Sequence, residues 1–205
     1  DMRYELPANV VHLEVHYLHE PHGKVPVIKR KGNKQVFKEI RCLHEQYRHA
    51  DTPKGETASL LKSIMQHRNE GRYAEADFLY SRESWDYITE QYRERCTDPS
   101  FVDYFWTVRI MHSPLWKLMA LTESFIPVKV FHTISTGYAG FLGALMKQRT
   151  GKPLILSEHG IYTKERKIDL FQAEWIRDNR GTLAKDSSEV AYFRHLWIRF
   201  FEALG

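Results

Sequence analysis

The sequence predicts an α/β protein in which flanking helices cover a Rossmann-like parallel sheet. Two apolar segments rich in β-branched residues, at 128–133 and 153–157, have the composition of buried strands. Residues 137–150 between them have the composition of a helix, and a single helical connection makes two neighbouring strands parallel with a right-handed crossover. A long region without strand signals, at about 34–96, is then predicted to be a helical insertion in this domain.

The composition favours one folded domain over residues 1–205. Hydrophobic residues make up 42% of the chain and aromatic residues 13%, which is enough for a core. The formal charge of +4 is spread over interspersed positive and negative residues, so no nucleic-acid partner is expected. Cys42 and Cys96 lack a metal-binding or redox spacing, as is typical of reduced cytoplasmic thiols. No apolar run is long enough for a transmembrane segment, so we expect a cytoplasmic protein, at most peripheral at the inner membrane.

The first element in chain order is an alternating segment at 10–18, which predicts an edge or half-buried strand. Its histidines raise the question of a zinc site, because two histidines four residues apart share an ion when they lie on a helix. On a strand, histidines four residues apart are too far from each other to share an ion. The turn around His22 also separates His22 from His12, His16 and His19. No metal site is therefore predicted.

The region 34–96 shows three amphipathic helical stripes, separated by turn signals at 52–55 and 70–72. Their apolar members are Val36, Phe37, Ile40, Leu43 and Tyr47; Leu60, Leu61, Ile64 and Met65; and Phe78, Leu79, Tyr87, Ile88 and Tyr92. Aromatic stripes at this spacing are typical of core packing. The insertion is expected to cover the sheet or to extend toward a partner.

Three further helices are predicted around the central unit. Asp98 as N-cap and Pro99 in the first turn begin one that bends or breaks near Pro114. Another covers 168–177 and is followed by a break at 178–181. The last opens with a capping box at 186–189 and carries a dense apolar stripe: Val190, Phe193, Leu196, Trp197, Phe200, Phe201 and Leu204.

The carboxyl ends of the two central strands carry the candidate site. Binding sites of parallel sheets lie beyond these ends, which places His132 and Ser135 beside Glu158 and His159. Polar turns at strand ends also serve merely to cap helices and satisfy backbone groups, which is the alternative. Both histidines are followed by further polar and basic side chains, and the combination favours an anionic or hydroxyl-rich ligand.

Two stretches of this region, HTISTGYAGFLGAL at 132–145 and GKPLILSEHGIYTKERKIDL at 151–170, resemble the PelF family of retaining family-4 glycosyltransferases, as does YELPANVV at 4–11. The resemblance implies a GT-B architecture, in which two Rossmann-like domains face each other across a cleft. This chain would be the N-terminal domain, on the acceptor side, forming one wall of the donor cleft. Most nucleotide-sugar contacts belong to the second domain, so we expect the chain alone to be an inactive fragment.

The resemblance also implies an activity and residue roles. The enzyme would transfer a sugar from a UDP-sugar to a growing Pel-like exopolysaccharide of biofilms, beside a membrane-embedded synthesis complex, with no cofactor and no metal ion. His159 would be the catalytic residue that faces the donor sugar. The substrate-binding residues would be His132, Ser135, Thr136, Gly137, Glu158, Gly160, Tyr162, Lys164, Arg166 and Lys167. For the three basic residues, a solvated helix start is the alternative.

A different class of function stays open. In it the chain is a non-catalytic binding or scaffold module whose region 34–96 contacts a membrane polysaccharide-synthesis complex. Binding of a UDP-sugar distinguishes the two classes. A Ser-His-acid hydrolase is disfavoured because the sequence has no G-x-S-x-G motif.

Overall fold

The computed structural model describes residues 5–19, 30–48, 54–96, 100–173 and 187–205. Within these ranges the chain is mostly helical. The helices are α1 (Lys34–Arg48), α2 (Lys54–Asn69), α3 (Glu75–Tyr80), α4 (Arg82–Arg95), α5 (Phe101–Leu121), α6 (Gly137–Thr150), α7 (Tyr162–Gln172) and α8 (Ser187–Leu204). The strands are β1 (Phe131–Thr133) and β2 (Leu154–Leu156).

The predicted Rossmann-like sheet is wrong. The described residues contain one sheet, and it has only the two parallel strands β1 and β2. The edge strand predicted at 10–18 does not form, because its backbone finds no ladder partner among the described residues. The apolar side chains that the alternation was expected to bury are exposed, including Val11 and Val15. Alternation alone does not make a strand when no neighbour pairs with it.

The β1–α6–β2 unit itself is confirmed. Phe131 pairs with Leu154, and the ladder continues for two more residues in parallel register. Both strands are shorter than predicted, and β2 is not buried: Ile155 is 52% exposed and Leu156 49%. Helix α6 ends as predicted at Gly151, whose φ of 69° is left-handed and whose N–H donates to the carbonyl of Lys147 over 2.9 Å.

Close packing of α6 on the sheet depends on Gly143. A Cβ atom at this position would lie 2.8 Å from Cδ1 of Leu154, so the helix approaches β2 more closely than an alanine would allow. The side chains of Phe141, Leu145 and Met146 are buried on the same helix. Gly143 and these three apolar residues therefore carry the packing contacts of α6.

Residues 34–96 are not an insertion that covers a sheet, because their buried side chains belong to the same hydrophobic core as those of α5, α6, α7 and α8. Phe37 of α1 places its ring 6.0 Å from Tyr73, 6.3 Å from Phe78 and 6.1 Å from Tyr87. The largest fully buried side chains of the whole core belong mostly to this region: Phe78, Ile40, Ile64, Ile88 and Val36. A mutually packed set of helical stripes needs no sheet to bury its apolar surface.

The third predicted helical piece is interrupted at Ser81. A backbone bridge joins Ser81 to Arg30, and the N–H of Arg82 donates to the carbonyl of Arg30 over 3.0 Å. The hydroxyl of Ser81 accepts a hydrogen bond of 3.1 Å from the N–H of Ser84 and so caps α4. The side chain of Arg30 pairs with Asp77 over 2.9 Å. The chain before α1 is thereby tied to the junction of α3 and α4.

Helix α5 begins after Ser100, whose hydroxyl accepts from the N–H of Asp103 over 3.2 Å. Ser100 is therefore the N-cap in place of the predicted Asp98. The helix also runs through Pro114 without the predicted break. Proline removes only one backbone donor, and the ring of Pro114 is fully buried, so its packing offsets that loss.

Helix α7 begins at Tyr162, before the predicted start at 168, because the N–H groups of Lys164 and Glu165 both donate to the carbonyl of Ile161. Helix α8 packs against α7 and α6 with its apolar stripe, of which Phe193, Trp197 and Phe201 are buried. Some predicted features lie outside the described residues: His22, Asp98, Pro99, the turn at 178–181 and the capping residue Asp186. Among the helices described, none has both the length and the apolarity needed to cross a membrane.

Candidate functional site

The turns that follow β1 and β2 leave the same edge of the sheet, because the strands are parallel and in register from Phe131 and Leu154. We call residues 132–137 and 157–162 the rim. Two side-chain hydrogen bonds join its halves. His132 Nε2 lies 3.0 Å from Ser157 Oγ, and the hydroxyl of Thr136 donates to the carboxylate of Glu158. The predicted meeting of the two turns is therefore present.

Thr133 shapes the turn into α6. Its Oγ1 donates to the carbonyl of Ser135 over 2.9 Å and accepts from the N–H of the same residue over 3.3 Å. Thr136 occupies the N-cap position, yet no described side chain caps the helix start, because its hydroxyl is engaged with Glu158. The positive end of the α6 dipole remains without a capping oxygen of its own.

Two glycines let the rim close tightly. A Cβ atom on Gly137 would lie 2.6 Å from Cζ and Oη of Tyr162, so this position has space only for a hydrogen. A Cβ atom on Gly160 would collide with the carboxylate of Glu165 in the first turn of α7. The ring of Tyr162 packs directly on Gly137, whereas at Gly160 the flexible carboxylate of Glu165 would have to move to admit a side chain.

Behind the rim lies an aromatic cluster around Phe201 of α8. The guanidinium carbon of Arg166 lies 4.6 Å from the centre of the Phe201 ring, a cation–π geometry. The rings of Tyr138 and Tyr162 lie 5.7 Å and 6.4 Å from the same ring. Arg166 is therefore held against an aromatic face, which the solvated-helix alternative did not anticipate.

Both tyrosines of this cluster keep their protons at neutral pH. Burial and, to a lesser extent, the neighbouring Tyr162 raise the pKa of Tyr138 to about 12, against the opposing effect of Arg166. Burial also raises the pKa of Tyr162, against the opposing effect of Arg166. Their hydroxyls therefore remain hydrogen-bond donors.

The remaining predicted site residues are more loosely placed. Lys167 extends toward α8, where its Nζ lies 3.7 Å from Oε1 of Glu202. Lys164 and His159 are exposed, and neither bonds through its side chain to any residue that the structure describes. The imidazole assigned to catalysis by the resemblance is therefore accessible but not positioned by a second group.

The sequence analysis missed three members of this site. Ser157 stands at the end of β2, two positions beyond the partner of His132, so strand register could have indicated it. Tyr138 is the second residue of α6, and nothing in the sequence marks it as a site residue. No local signal pointed to Phe201, which reaches the site only because α8 packs against α6 and α7.

One known protein family matches the chain over its whole length. A family model described as "Domain of unknown function (DUF3492)" matches residues 1–205. The chain belongs to the DUF3492 family. No curated protein and no solved structure matches it.

The rim of this DUF3492 chain combines two kinds of recognition chemistry. The carboxylate of Glu158, the hydroxyls of Ser157 and Thr136 and the exposed imidazoles suit the hydroxyl groups of a sugar. The starts of α6 and α7 open at the same rim, and helix N-termini favour anionic groups such as phosphate. The DUF3492 rim thus suits a ligand that has both hydroxyls and negative charge.

Proposed function

We propose that the chain is part of a retaining glycosyltransferase that transfers a sugar from a UDP-sugar to a growing exopolysaccharide, and that the rim forms one wall of the donor site. Two independent features support this. The segments 132–145 and 151–170 resemble the PelF family, and the paired bonds His132 to Ser157 and Thr136 to Glu158 join both turns of that resemblance into one polar surface. The two hydrogen bonds carry the proposal, because they can form only if the turns after β1 and β2 meet in space.

Glycosyl transfer requires that the charge of the leaving diphosphate be neutralised, that the sugar hydroxyls be oriented, and that an oxocarbenium-like transition state be supported. In the proposed mechanism the starts of α6 and α7 face the diphosphate. Glu158 accepts a hydrogen bond from a sugar hydroxyl, and His159 donates one to another. No metal ion or cofactor is required, because helix dipoles and basic residues neutralise the leaving group.

The setting of the reaction is part of the proposal. The acceptor is a polysaccharide chain, and the enzyme acts in the cytoplasm beside a membrane-embedded synthesis complex. The second domain implied by the resemblance supplies most contacts to the UDP-sugar. Residues 1–205 alone should then bind UDP-sugar weakly, since half a cleft buries little of a small ligand.

Substitution of the two rim histidines tests the mechanism. In the full-length protein, His159→Ala should lower UDP-sugar turnover by the equivalent of roughly 2 to 4 kcal/mol of transition-state stabilisation, with little change in melting temperature. His132→Ala should reduce turnover less, because His132 hydrogen-bonds Ser157 and forms the wall of the site. Turnover and melting temperature are measured on the same preparations of both variants.

The opposite pattern would reject the catalytic assignment. A His159→Ala protein that melts early, yet keeps the wild-type rate per folded molecule, would show that His159 has only a structural role. Equal losses of rate in both variants would contradict the different roles assigned to the two histidines, in which His159 contacts the donor sugar and His132 only forms the wall of the site.

A second candidate is a binding module, and one observation favours it. Val102, Trp106 and Ile110 follow one another at four-residue spacing along α5, and they are 61%, 54% and 51% exposed. A stripe of this kind, with the exposed Trp85 beside it, is typical of a protein-binding helix face. If the full-length protein shows no saturable heat on titration with UDP-sugars, this candidate replaces the enzyme.

A further inference from the structure

A cavity of about 170 Å³ lies among the helices of the core and includes no residue of the rim. Its wall is mostly apolar and comes from α1, α2, α4, α5, α6 and α8, with Ile40, Val108, Met111, Phe141 and Phe200 among the lining residues. Protein interiors are normally packed without voids of this size. Apolar cavities of about 150 Å³ accept a ligand the size of benzene.

A chain of hydrogen bonds forms one part of the cavity wall. The Nδ1 of His112 lies 2.7 Å from the carbonyl of Val108, and since a carbonyl only accepts, this nitrogen carries the proton. The Nε2 of His112 must then accept a hydrogen bond from Nε2 of His44, which lies 3.0 Å away. His44 is bonded in turn to the hydroxyl of Tyr87.

These hydrogen bonds fix the protonation state of His112. His112 is half-buried by its exposed surface, and the loss of water around its ring lowers its pKa to about 4, so it is neutral at physiological pH. Its single proton is used by Val108, and its lone pair is used by His44. The imidazole of His112 therefore offers neither charge nor a spare donor to a ligand.

Two other lining residues do have unused donors. Trp116 is buried, and its indole Nε1–H has no hydrogen-bond partner within the described ranges. Arg199 of α8 lines the cavity and is exposed to solvent, and no carboxylate of the described residues pairs with its guanidinium. Buried donors are almost always satisfied in native proteins, so the free indole N–H indicates an absent acceptor. The guanidinium of Arg199 lies in the same cavity lining and can pair with an anionic group.

We propose that this cavity binds a small amphiphilic carboxylate, with an apolar body of roughly six to ten non-hydrogen atoms inside the cavity and its carboxylate paired with Arg199. A carboxylate has only acceptors to offer, and the unused groups of Trp116 and Arg199 are donors. The mostly apolar wall excludes a sugar or nucleotide, because their hydroxyls would lose their water contacts without replacement. The site is thus distinct from the rim and independent of the proposed function.

Octanoate is a suitable probe, with octanol and acetate as matched controls. In the full-length protein, the ¹⁵N-indole resonance of Trp116 should shift in a saturable way with octanoate, while that of Trp85 on the outer face of α4 should not. Acetate should give no shift, because it lacks the apolar body. Octanol should bind about tenfold more weakly than octanoate, because it cannot form the charged pair with Arg199.

Two variants and one control distinguish the contribution of Arg199 to binding from that of the apolar cavity. Arg199→Gln should weaken octanoate binding by about tenfold and leave octanol binding unchanged, whereas Arg93→Gln, an exposed arginine of α4 outside the cavity lining, should change neither. Ala203→Phe adds bulk to the lining and should abolish both, with helical content checked by circular dichroism. The proposal is overturned if the Trp116 resonance does not respond, if Arg199→Gln has no effect on octanoate, or if a folded Ala203→Phe protein binds as well as the wild type.

Discussion

His112 shows how burial of one residue sets a property of the whole protein. Its pKa in the folded state, about 4, lies below the ordinary histidine value of about 6.5. Between these two pH values the unfolded chain takes up a proton at this site and the folded chain does not. The free energy of unfolding should therefore fall as the pH falls through this window, by up to roughly 3 kcal/mol from this residue alone.

Urea unfolding between pH 7 and pH 4.5 measures this effect. His112→Gln removes the titrating group, so its stability should depend less steeply on pH than that of the wild type, whatever its stability at pH 7. His159→Gln is the matched control for the substitution itself, because His159 is exposed and its side chain bonds to no described residue. Parallel slopes for His112→Gln and the wild type would show that His112 does not resist protonation in the folded state.

At the residue scale, the sequence predicted the members of the rim better than their contacts. His132, Thr136 and Glu158 meet because they follow adjacent parallel strands, which is a consequence of strand register. The contacts of Arg166 with Phe201 and of Lys167 with Glu202 depend on how α8 packs. Helix packing is a property of the tertiary structure, and a charge run in the sequence gives no sign of it.

At the scale of single elements, the sequence predicts a helix end well where a special backbone conformation is needed to end the helix. It predicts a helix start less well where several side chains could serve as the N-cap. Gly151 ends α6 because a left-handed residue is needed there. At the start of α5, Asp98 and Ser100 are both good N-caps, and the structure uses Ser100. At the start of α6, Glu158 comes from a distant turn and engages the hydroxyl that would otherwise cap the helix.

The end of α6 offers a direct test of this backbone requirement. Gly151→Ala should lower the free energy of unfolding by roughly 1 to 2 kcal/mol, because a Cβ atom disfavours the left-handed region. No atom lies within 4 Å of the Cβ position, so the cost is conformational and not steric crowding. Gly151→Asn should cost less, since asparagine tolerates this conformation. Equal stability of the alanine variant and the wild type in urea unfolding would contradict the assignment.

At the scale of the whole molecule, the sequence predicted one crossover correctly and extended it wrongly to a complete sheet. The strand composition at 128–133 and 153–157 is real, but only three residues of each segment pair. The alternating segment at 10–18 joins no ladder that the structure describes. The helical stripes at 34–96, by contrast, pack on one another, and this packing of several segments is not contained in the periodicity of any one of them.

The distribution of buried side chains predicts where the stability of the chain resides. Two-stranded sheets are marginal by themselves, and the exposed Ile155 and Leu156 contribute little burial to β2. The ladder amides of Phe131 and Ser157 should therefore exchange with solvent through local opening, at least about tenfold faster than the amides of Val108 and Met111 in α5. These two α5 residues are buried in the helical core and should exchange only when the chain unfolds globally.

Native-state hydrogen exchange followed by NMR, with increasing low concentrations of urea, distinguishes the two kinds of opening. Exchange at Val108 and Met111 should accelerate with the full urea dependence of global unfolding, because unfolding exposes the whole core. Exchange at Phe131 and Ser157 should respond weakly to urea, because opening two short strands exposes little new surface. If all four amides share one opening free energy and one urea dependence, the two strands unfold together with the helices, and the division into a stable helical core and a marginal sheet is wrong.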